Sequence, residues 1–300
     1  MRKFFVVLPT LAGIMWGATG VFTRTLNAAG MANTTILETR MLLGSVILLA
    51  GCLIVNRQLL KIKIKDFWIF LCGAFLGNFG LSFFYTEAIN RLSMGFAAVL
   101  LCIFPVFVLL LSSIFFKEKI TRKKAGCMVL AFAGCVLVSG VIEEGLGPDW
   151  SWAGVLIGLL AAFCYALYSI FSKVAKEREY SAVTITFWFM LMIALALIPF
   201  TEWNLIGDFL AEAPAANGLF LMGHCLCAAV LPYIFYTFSM TYIDAGKASI
   251  LASSEPLAAM VFGALLFSEI PSPLSVGGMF LTVAAIVILS LPEKGKRDEE

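Results

Sequence analysis

Ten stretches of this chain run for about 20 residues with almost no charge, near 4–26, 33–55, 67–89, 94–116, 124–142, 152–174, 181–201, 216–241, 247–267 and 273–291. An α-helix rises about 1.5 Å per residue, so about 20 residues cross a hydrocarbon layer ~30 Å thick. No water reaches backbone N–H and C=O groups there, so each run must close its hydrogen bonds within itself, as a helix. The links between runs are short, which makes neighbouring helices antiparallel. The predicted fold class is therefore an all-α membrane protein of ten transmembrane helices. The composition agrees: 61% of residues are hydrophobic and 13% charged, against roughly 45–50% and about 25% in a soluble domain.

The first run, MRKFFVVLPTLAGIMWGATGVF, begins like a signal peptide. Its apolar region is longer than the roughly 7–15 residues of a secretory leader, and nine similar runs follow, so it reads as the first helix. All eight cysteines lie within the runs. His224-Cys225-Leu226-Cys227 holds the only histidine and lacks the paired spacing of a zinc site, so these thiols read as small hydrophobes, and neither a metal nor a cofactor is expected.

Charge sets the expected orientation. With the N-terminus in the cytoplasm, one side collects Arg2 and Lys3; Arg57, Lys61, Lys63 and Lys65; and Lys117, Lys119, Arg122, Lys123 and Lys124. Lys173, Lys176 and Arg178, then Lys247, then Lys294, Lys296 and Arg297 join them, making eighteen of the 21 basic residues. The other side's loops hold only Arg91 and include the acidic EEGLGPDW, while Arg24 and Arg40 fall inside runs. Both termini are expected in the cytoplasm, in a multi-pass protein of the cell inner (cytoplasmic) membrane.

The chain also repeats. A shift of 151 residues lays FYTEAINRLSMGFAAVLLCIFPVF, from Phe84, over FYTFSMTYIDAGKASILASSEPLA, from Phe235, matching Pro105 with Pro256. Phe116, Glu118 and Gly126 then meet Phe267, Glu269 and Gly277. A shift of 149 sets WGATGVFTR (Trp16 to Arg24) on YALYSIFSK (Tyr165 to Lys173). Each half holds five helices, an odd number, so the halves enter the bilayer from opposite faces. FKEKITRKK after the fourth helix is basic, whereas its counterpart FSEIPSP has no Lys or Arg. The expected organisation is repeat 1 over 1–145, repeat 2 over 146–292 and a charged cytoplasmic tail over 293–300. Two inverted repeats are the architecture of secondary transporters, with the solute site near the midplane where they face each other.

These features carry a family resemblance. WGATGVFTR in the first helix, Arg40 in the second, PVFVLLLSSIFFKEKIT with a following Gly126, and EPLAAMVFGALLFSE with a following Gly277 resemble the EamA family of the drug/metabolite transporter superfamily. The resemblance covers residues 4–291. It implies export of amino acids, their derivatives, or other small metabolites or drugs, without naming which.

Several residues are candidates for a solute site. Glu255 sits deep in an apolar run, where a carboxylate costs on the order of 2.5–3.5 kcal/mol and faces a cavity or a partner. Pro256 removes a helix donor and frees the carbonyl of Ala252, which favours a bend. Glu255 reads either as a proton or cation site or as a packing acceptor between helices, and Pro105 and Pro256 read as paired gating kinks. Arg40 and Glu38, two apart, point to different sides. Arg40 reads as a carboxylate fork or an interhelical clamp, and the resemblance favours its facing inward. Glu38 is expected to pair with Arg24, and Glu87 with Arg91.

Trp16, Thr19 and Thr23 share a face of the first helix, and Tyr165, Tyr168 and Ser172 take the matching face of the sixth. Asn78, Ser82 and Tyr85 line the third, Tyr233 and Tyr236 the eighth, and Ser253 precedes Glu255 by two. Trp16 and Trp188 fall near the midplane, whereas Trp68, Trp150, Trp152 and Trp203 fall where interfacial belts belong. A chamber walled by aromatics with scattered hydroxyls suits a small amphipathic solute. Gly13/Gly17, Gly73/Gly77 and Gly154/Gly158 permit close helix approach.

The chain carries no phosphate-binding loop, so ATP is not expected as a direct energy source, which leaves proton exchange through Glu255 or facilitated diffusion. The alternatives are a channel or facilitator, which would need a ring of like residues or an oligomeric pore, and a membrane-embedded enzyme, for which no His/Asp/Glu constellation is present. The expected partners are a small-molecule substrate and the lipid bilayer, not nucleic acid.

Overall fold

The structure is a computed structural model that describes residues 2–92, 94–144, 151–268 and 270–291. Residues 145–150 of the acidic loop (Trp150 among them), Glu269, the tail over 293–300 and the side chains of Arg2 and Lys3 lie outside the described residues. Every regular element among the described residues is helical. Among the described residues, nine helices are long and apolar enough to cross a membrane: α1 (Phe5–Ala28), α2 (Asn33–Val55), α3 (Ile64–Ile89), α4 (Phe96–Phe116), α6 (Trp152–Glu177), α7 (Ala182–Phe200), α8 (Pro214–Ser239), α9 (Ala245–Phe267) and α10 (Pro273–Ser290). Between α4 and α6 lies α5 (Arg122–Val138), 17 residues long, or about 26 Å. With α5 the helices number ten, as the apolar runs require, and the chain is a multi-pass membrane protein.

The two-repeat fold is visible in the backbone. Helix α4 breaks at 102–103, just before Phe104 and Pro105, and α9 breaks at 252–253, just before Glu255 and Pro256. The carbonyl that Pro256 would free is not left open, because the Glu255 N–H reaches Ala252 O at 3.1 Å. Both helices end in a left-handed residue, Lys117 at φ 55° and Ser268 at φ 56°, 151 positions apart, and both close on an orphan carbonyl, of Ser112 and of Gly263. The next helices start alike: Thr121 accepts from Lys124 N–H at 3.2 Å, and Ser272 from Ser275 N–H at 3.0 Å. A wider π-helical stretch interrupts α3 over Gly73–Phe79 and α8 over Leu226–Val230. Such bulges turn side chains out of regular register, often at functional positions.

Glycines set the closest packing. A Cβ at Gly17 would lie 2.6 Å from Glu255 O and 2.7 Å from Ala258 Cβ, so α1 lies directly on the second half of α9. Gly77 brings α3 within the same reach of the Tyr168 backbone on α6, where a Cβ would lie 2.8 Å from Tyr168 Cα. Gly154 and Gly158 seat Leu92 and Leu100, so each of the three glycine pairs marks a close contact. Helices α5 and α10 pack on each other, with Gly278 against the Gly134 carbonyl.

At the basic end the two halves are tied together. Asp66, 2% exposed, accepts from Arg178 Nη1 at 2.9 Å and from the Tyr180 hydroxyl at 2.8 Å, and that hydroxyl accepts from Lys63 N–H at 3.0 Å. The Glu118 carboxylate accepts from Ala245 N–H at 3.1 Å and Gly246 N–H at 3.4 Å, an anion at the electropositive start of α9. Lys124 pairs with Asp244 at 2.5 Å. At the other end Glu202 accepts from Ala32 N–H and Thr35 Oγ1, each at 3.3 Å, and a short helix, Trp203–Glu212, lays Phe209 over Leu26, Met31, Ile36 and Leu221. Trp68, Trp152 and Trp203 are exposed.

The α1–α9 contact yields a direct test. Gly17→Ala should lower the melting temperature of detergent-purified protein by an overpacking cost of roughly 1–3 kcal/mol. Gly20→Ala, with nothing within 4 Å of its Cβ, should leave it unchanged or slightly raised. Equal melting of the two variants would contradict the contact.

Candidate functional site

At the centre, ring contacts join the halves. Trp16 on α1 lies 6.0 Å from Tyr165 on α6 and 5.3 and 5.5 Å from Tyr233 and Tyr236 on α8. Tyr168 lies 5.3 and 6.0 Å from the same two α8 rings. The three Trp16 pairs and Tyr168–Tyr233 are edge-on or tilted and Tyr168–Tyr236 is stacked at 29°, geometries in the range that ring quadrupoles favour. Because Trp16 and Tyr165 occupy matching positions of the two repeats, their contact marks where the repeats face each other.

Tyr165 is also where their chemistry diverges. Phe104 and Glu255 are 151 residues apart and occupy corresponding positions just past the breaks of α4 and α9. Phe104 stacks flat on the Tyr165 ring at 4.0 Å and 10°, while Glu255 Oε2 accepts the Tyr165 hydroxyl at 3.3 Å. One tyrosine is thus held on its face by repeat 1 and at its hydroxyl by repeat 2.

The remaining tyrosine hydroxyls are tied down. Tyr233 donates to Asn78 Oδ1 at 2.8 Å, the Tyr236 hydroxyl meets Ser169 Oγ at 2.9 Å, and the Tyr168 hydroxyl meets Thr237 Oγ1 at 3.2 Å. Asn78 owes its position to the π-helical stretch of α3. Asn78, Tyr168, Thr186, Phe189, Met190 and Tyr233 line one pocket and close on each other without room for a water molecule.

Charge enters from the rim. Arg40 is half-buried on α2, and its Nε is buried with no hydrogen-bond partner among the described residues. Its charge acts on Tyr233, Cys225 and Glu255. Trp16 Nε1 and both ring nitrogens of His224 are likewise buried without a partner. His224 is fully buried, stacked on Phe22 at 5.3 Å, within electrostatic reach of Arg40. Each unmet buried donor costs about 1–3 kcal/mol, and Glu38, Ser172 and Thr186 also hold buried side-chain oxygens without a partner among the described residues.

Some expected residues fall elsewhere. Trp188 stands apart from Trp16: its indole N–H donates to Leu60 O at 3.1 Å, in the α2–α3 connection, because α7 reaches that end of the bundle. Thr19 is half-buried just past an interruption of α1 at Ala18. Tyr85 is half-buried within electrostatic reach of Glu255, and Ser253 is buried in the α9 break. Glu38 and Arg24 do not pair: both Glu38 oxygens are buried without a partner among the described residues, and the Arg24 guanidinium lies 4.8 Å from the centre of the Phe267 ring. Glu87 and Arg91 do pair, at 2.6 Å.

The repeat already sets Phe104 opposite Glu255 in the sequence, and what the fold adds is that both meet Tyr165. One participant escapes a reading by residue type. His224 looks like a stray histidine until its depth and its lack of a partner are known. The i, i+3 pair of Tyr233 and Tyr236 was the legible signal on α8.

The model of the EamA-like transporter family matches residues 3–140 and 152–291. The chain is 27% identical over 250 residues to the uncharacterized transporter YdfC of Bacillus subtilis (82% of this chain, 78% of that one). It is 25% identical over 241 residues to the riboflavin transporter ImpX of Fusobacterium nucleatum (78% and 80%). A crystal structure of a protein superposes with a TM-score of 0.75 over 96% of both chains at 17% identity, a likeness of fold alone.

The Tyr165 geometry predicts an ordering of variants. Tyr165→Phe keeps the stack on Phe104 and should change stability by about 1 kcal/mol, whereas Tyr165→Ala should lose roughly 3–5 kcal/mol. Thermal melts in detergent check this, and a phenylalanine as damaging as alanine would contradict it.

Proposed function

The chain belongs to the EamA-like transporter family, and on that premise we propose that it is a secondary transporter of the cytoplasmic membrane, exporting an amino acid or a related small metabolite. Repeat 1 (1–145) and repeat 2 (146–292) alternately expose a midplane chamber to the two sides, and both termini and the 293–300 tail lie in the cytoplasm. The observation that carries this reading is the approach of a cation from repeat 1, Arg40, and a carboxyl from repeat 2, Glu255, to the same aromatic cluster. A zwitterion has an end for each. Its carboxylate suits the planar guanidinium, its ammonium suits Glu255, and its side chain suits the rings of Trp16, Tyr165, Tyr168 and Tyr236.

The contacts between the halves support alternating access. Opening toward the cytoplasm releases Asp66 from Arg178 and Tyr180, and Glu118 from the start of α9. The breaks at Pro105 and Pro256 let the half-helices tilt. The tight central packing supports a carrier over an open pore. Glu255 has one hydroxyl partner, Tyr165, and holds either a proton or the solute's ammonium, which couples export to proton entry by exchange at a single carboxyl.

The test is efflux and counterflow from vesicles holding purified protein, with an amino-acid and metabolite panel. At least one solute should move, faster with a proton gradient directed against it. Glu255→Gln should lose the response to the gradient. Failure of every solute to move, with or without a gradient, would contradict the reading.

A further inference from the structure

His224 has no place in the reading above, yet it is the protein's only histidine and is fully buried. It stands on α8 next to Cys225, whose thiol donates to the Arg40 carbonyl at 3.5 Å, so the imidazole and Arg40 occupy neighbouring turns of helices in contact. On its α1 side it stacks on the Phe22 ring, and it lies within electrostatic reach of Arg40. A ring nitrogen carries a hydrogen in either tautomer. Trp16 Nε1 also lacks a partner among the described residues, and its ring touches Tyr233, nine residues beyond His224 on α8.

Two nitrogen donors without acceptors among the described residues thus stand on neighbouring turns of α2 and α8, Arg40 Nε and one nitrogen of His224, and a third, Trp16 Nε1, lies further along α8 beside Tyr233. The Glu255 end has the opposite character, a carboxylate that accepts. Donors grouped around a fixed cation recognise an oxyanion, and a site built to hydrogen-bond a group rejects the analogue lacking it.

Resting on the transporter reading, we propose that His224 is a specificity-determining residue: with Arg40 it forms a subsite for the solute's carboxylate and confines the transporter to carboxylate-bearing solutes. His224 supplies direction and selectivity, and Arg40 the charge. The Tyr233 hydroxyl, committed to Asn78, walls the subsite.

The experiment measures binding to the full-length protein in detergent by thermal shift and tryptophan fluorescence. Its probes are leucine and phenylalanine, each beside its decarboxylated amine and its amide. The acids should bind and the amines and amides should bind at least tenfold more weakly. His224→Leu should weaken the acids about tenfold or more and narrow that discrimination, while His224→Asn, which keeps a donor, should retain most of it. The melting temperature without solute reports whether each variant folds. Equal binding of acid, amine and amide overturns the proposal, as does a folded His224→Leu that discriminates like the parent protein. Binding by no carboxylate probe overturns it too, while movement of an uncharged metabolite in the vesicle assay would leave the exporter reading standing.

Discussion

The governing constraint is that a bilayer core offers no water to an unpaired peptide group. It turns each apolar run into a helix and makes every departure from a regular helix significant. This protein departs in few places, and apart from the interruption of α1 at Ala18 these departures match across the repeats: breaks near 102–103 and 252–253, and π-helical stretches at Gly73–Phe79 and Leu226–Val230. Each lies beside the central aromatic cluster. Neighbouring helices cover the loosened backbone, with Gly17 of α1 lying on Glu255 O and Gly77 of α3 on the Tyr168 backbone.

Matched backbones carry unmatched side chains. Phe104 and Glu255 occupy corresponding positions, and both act on Tyr165, one as a flat apolar surface and one as an acceptor. Trp16 and Tyr165 correspond and touch, yet the indole N–H has no partner and the tyrosine hydroxyl does. In the proposed transport cycle the matched breaks act as a symmetric hinge, and the unmatched side chains at its centre give the proposed chamber a polarity, with donors toward Arg40 and an acceptor at Glu255. A symmetric chamber would have no basis for orienting a solute with two different ends.

The ten helices were legible because apolar length and loop charge are local properties of a chain, and the repeat was legible because Pro105 and Pro256 and their neighbours keep their order. Glu255 stood out as a charge in an oily run. Its partner did not, since no spacing rule joins residues 165 and 255 before the fold exists. The same limit explains Trp188: its position in α7 suggested depth, but a hydrogen bond to Leu60 O in a connecting segment holds it at the end of the bundle. Glu38 and Arg24 have opposite charges and neighbouring heights, and only three-dimensional packing separates them. His224 was least legible, because an isolated histidine carries no pattern and its meaning lies in burial without a partner.

Inversion of the two halves is the claim on which the chamber, its polarity and its alternating exposure all depend. Residues 119 and 270 are repeat equivalents, and Ile270 is 94% exposed. The most direct measurement places single cysteines at Lys119 and Ile270 in a protein whose eight native cysteines have been replaced. A membrane-impermeant thiol reagent is then applied to sealed vesicles of each orientation. Labelling of the two positions from opposite faces is the predicted result; labelling of both from one face would contradict the account.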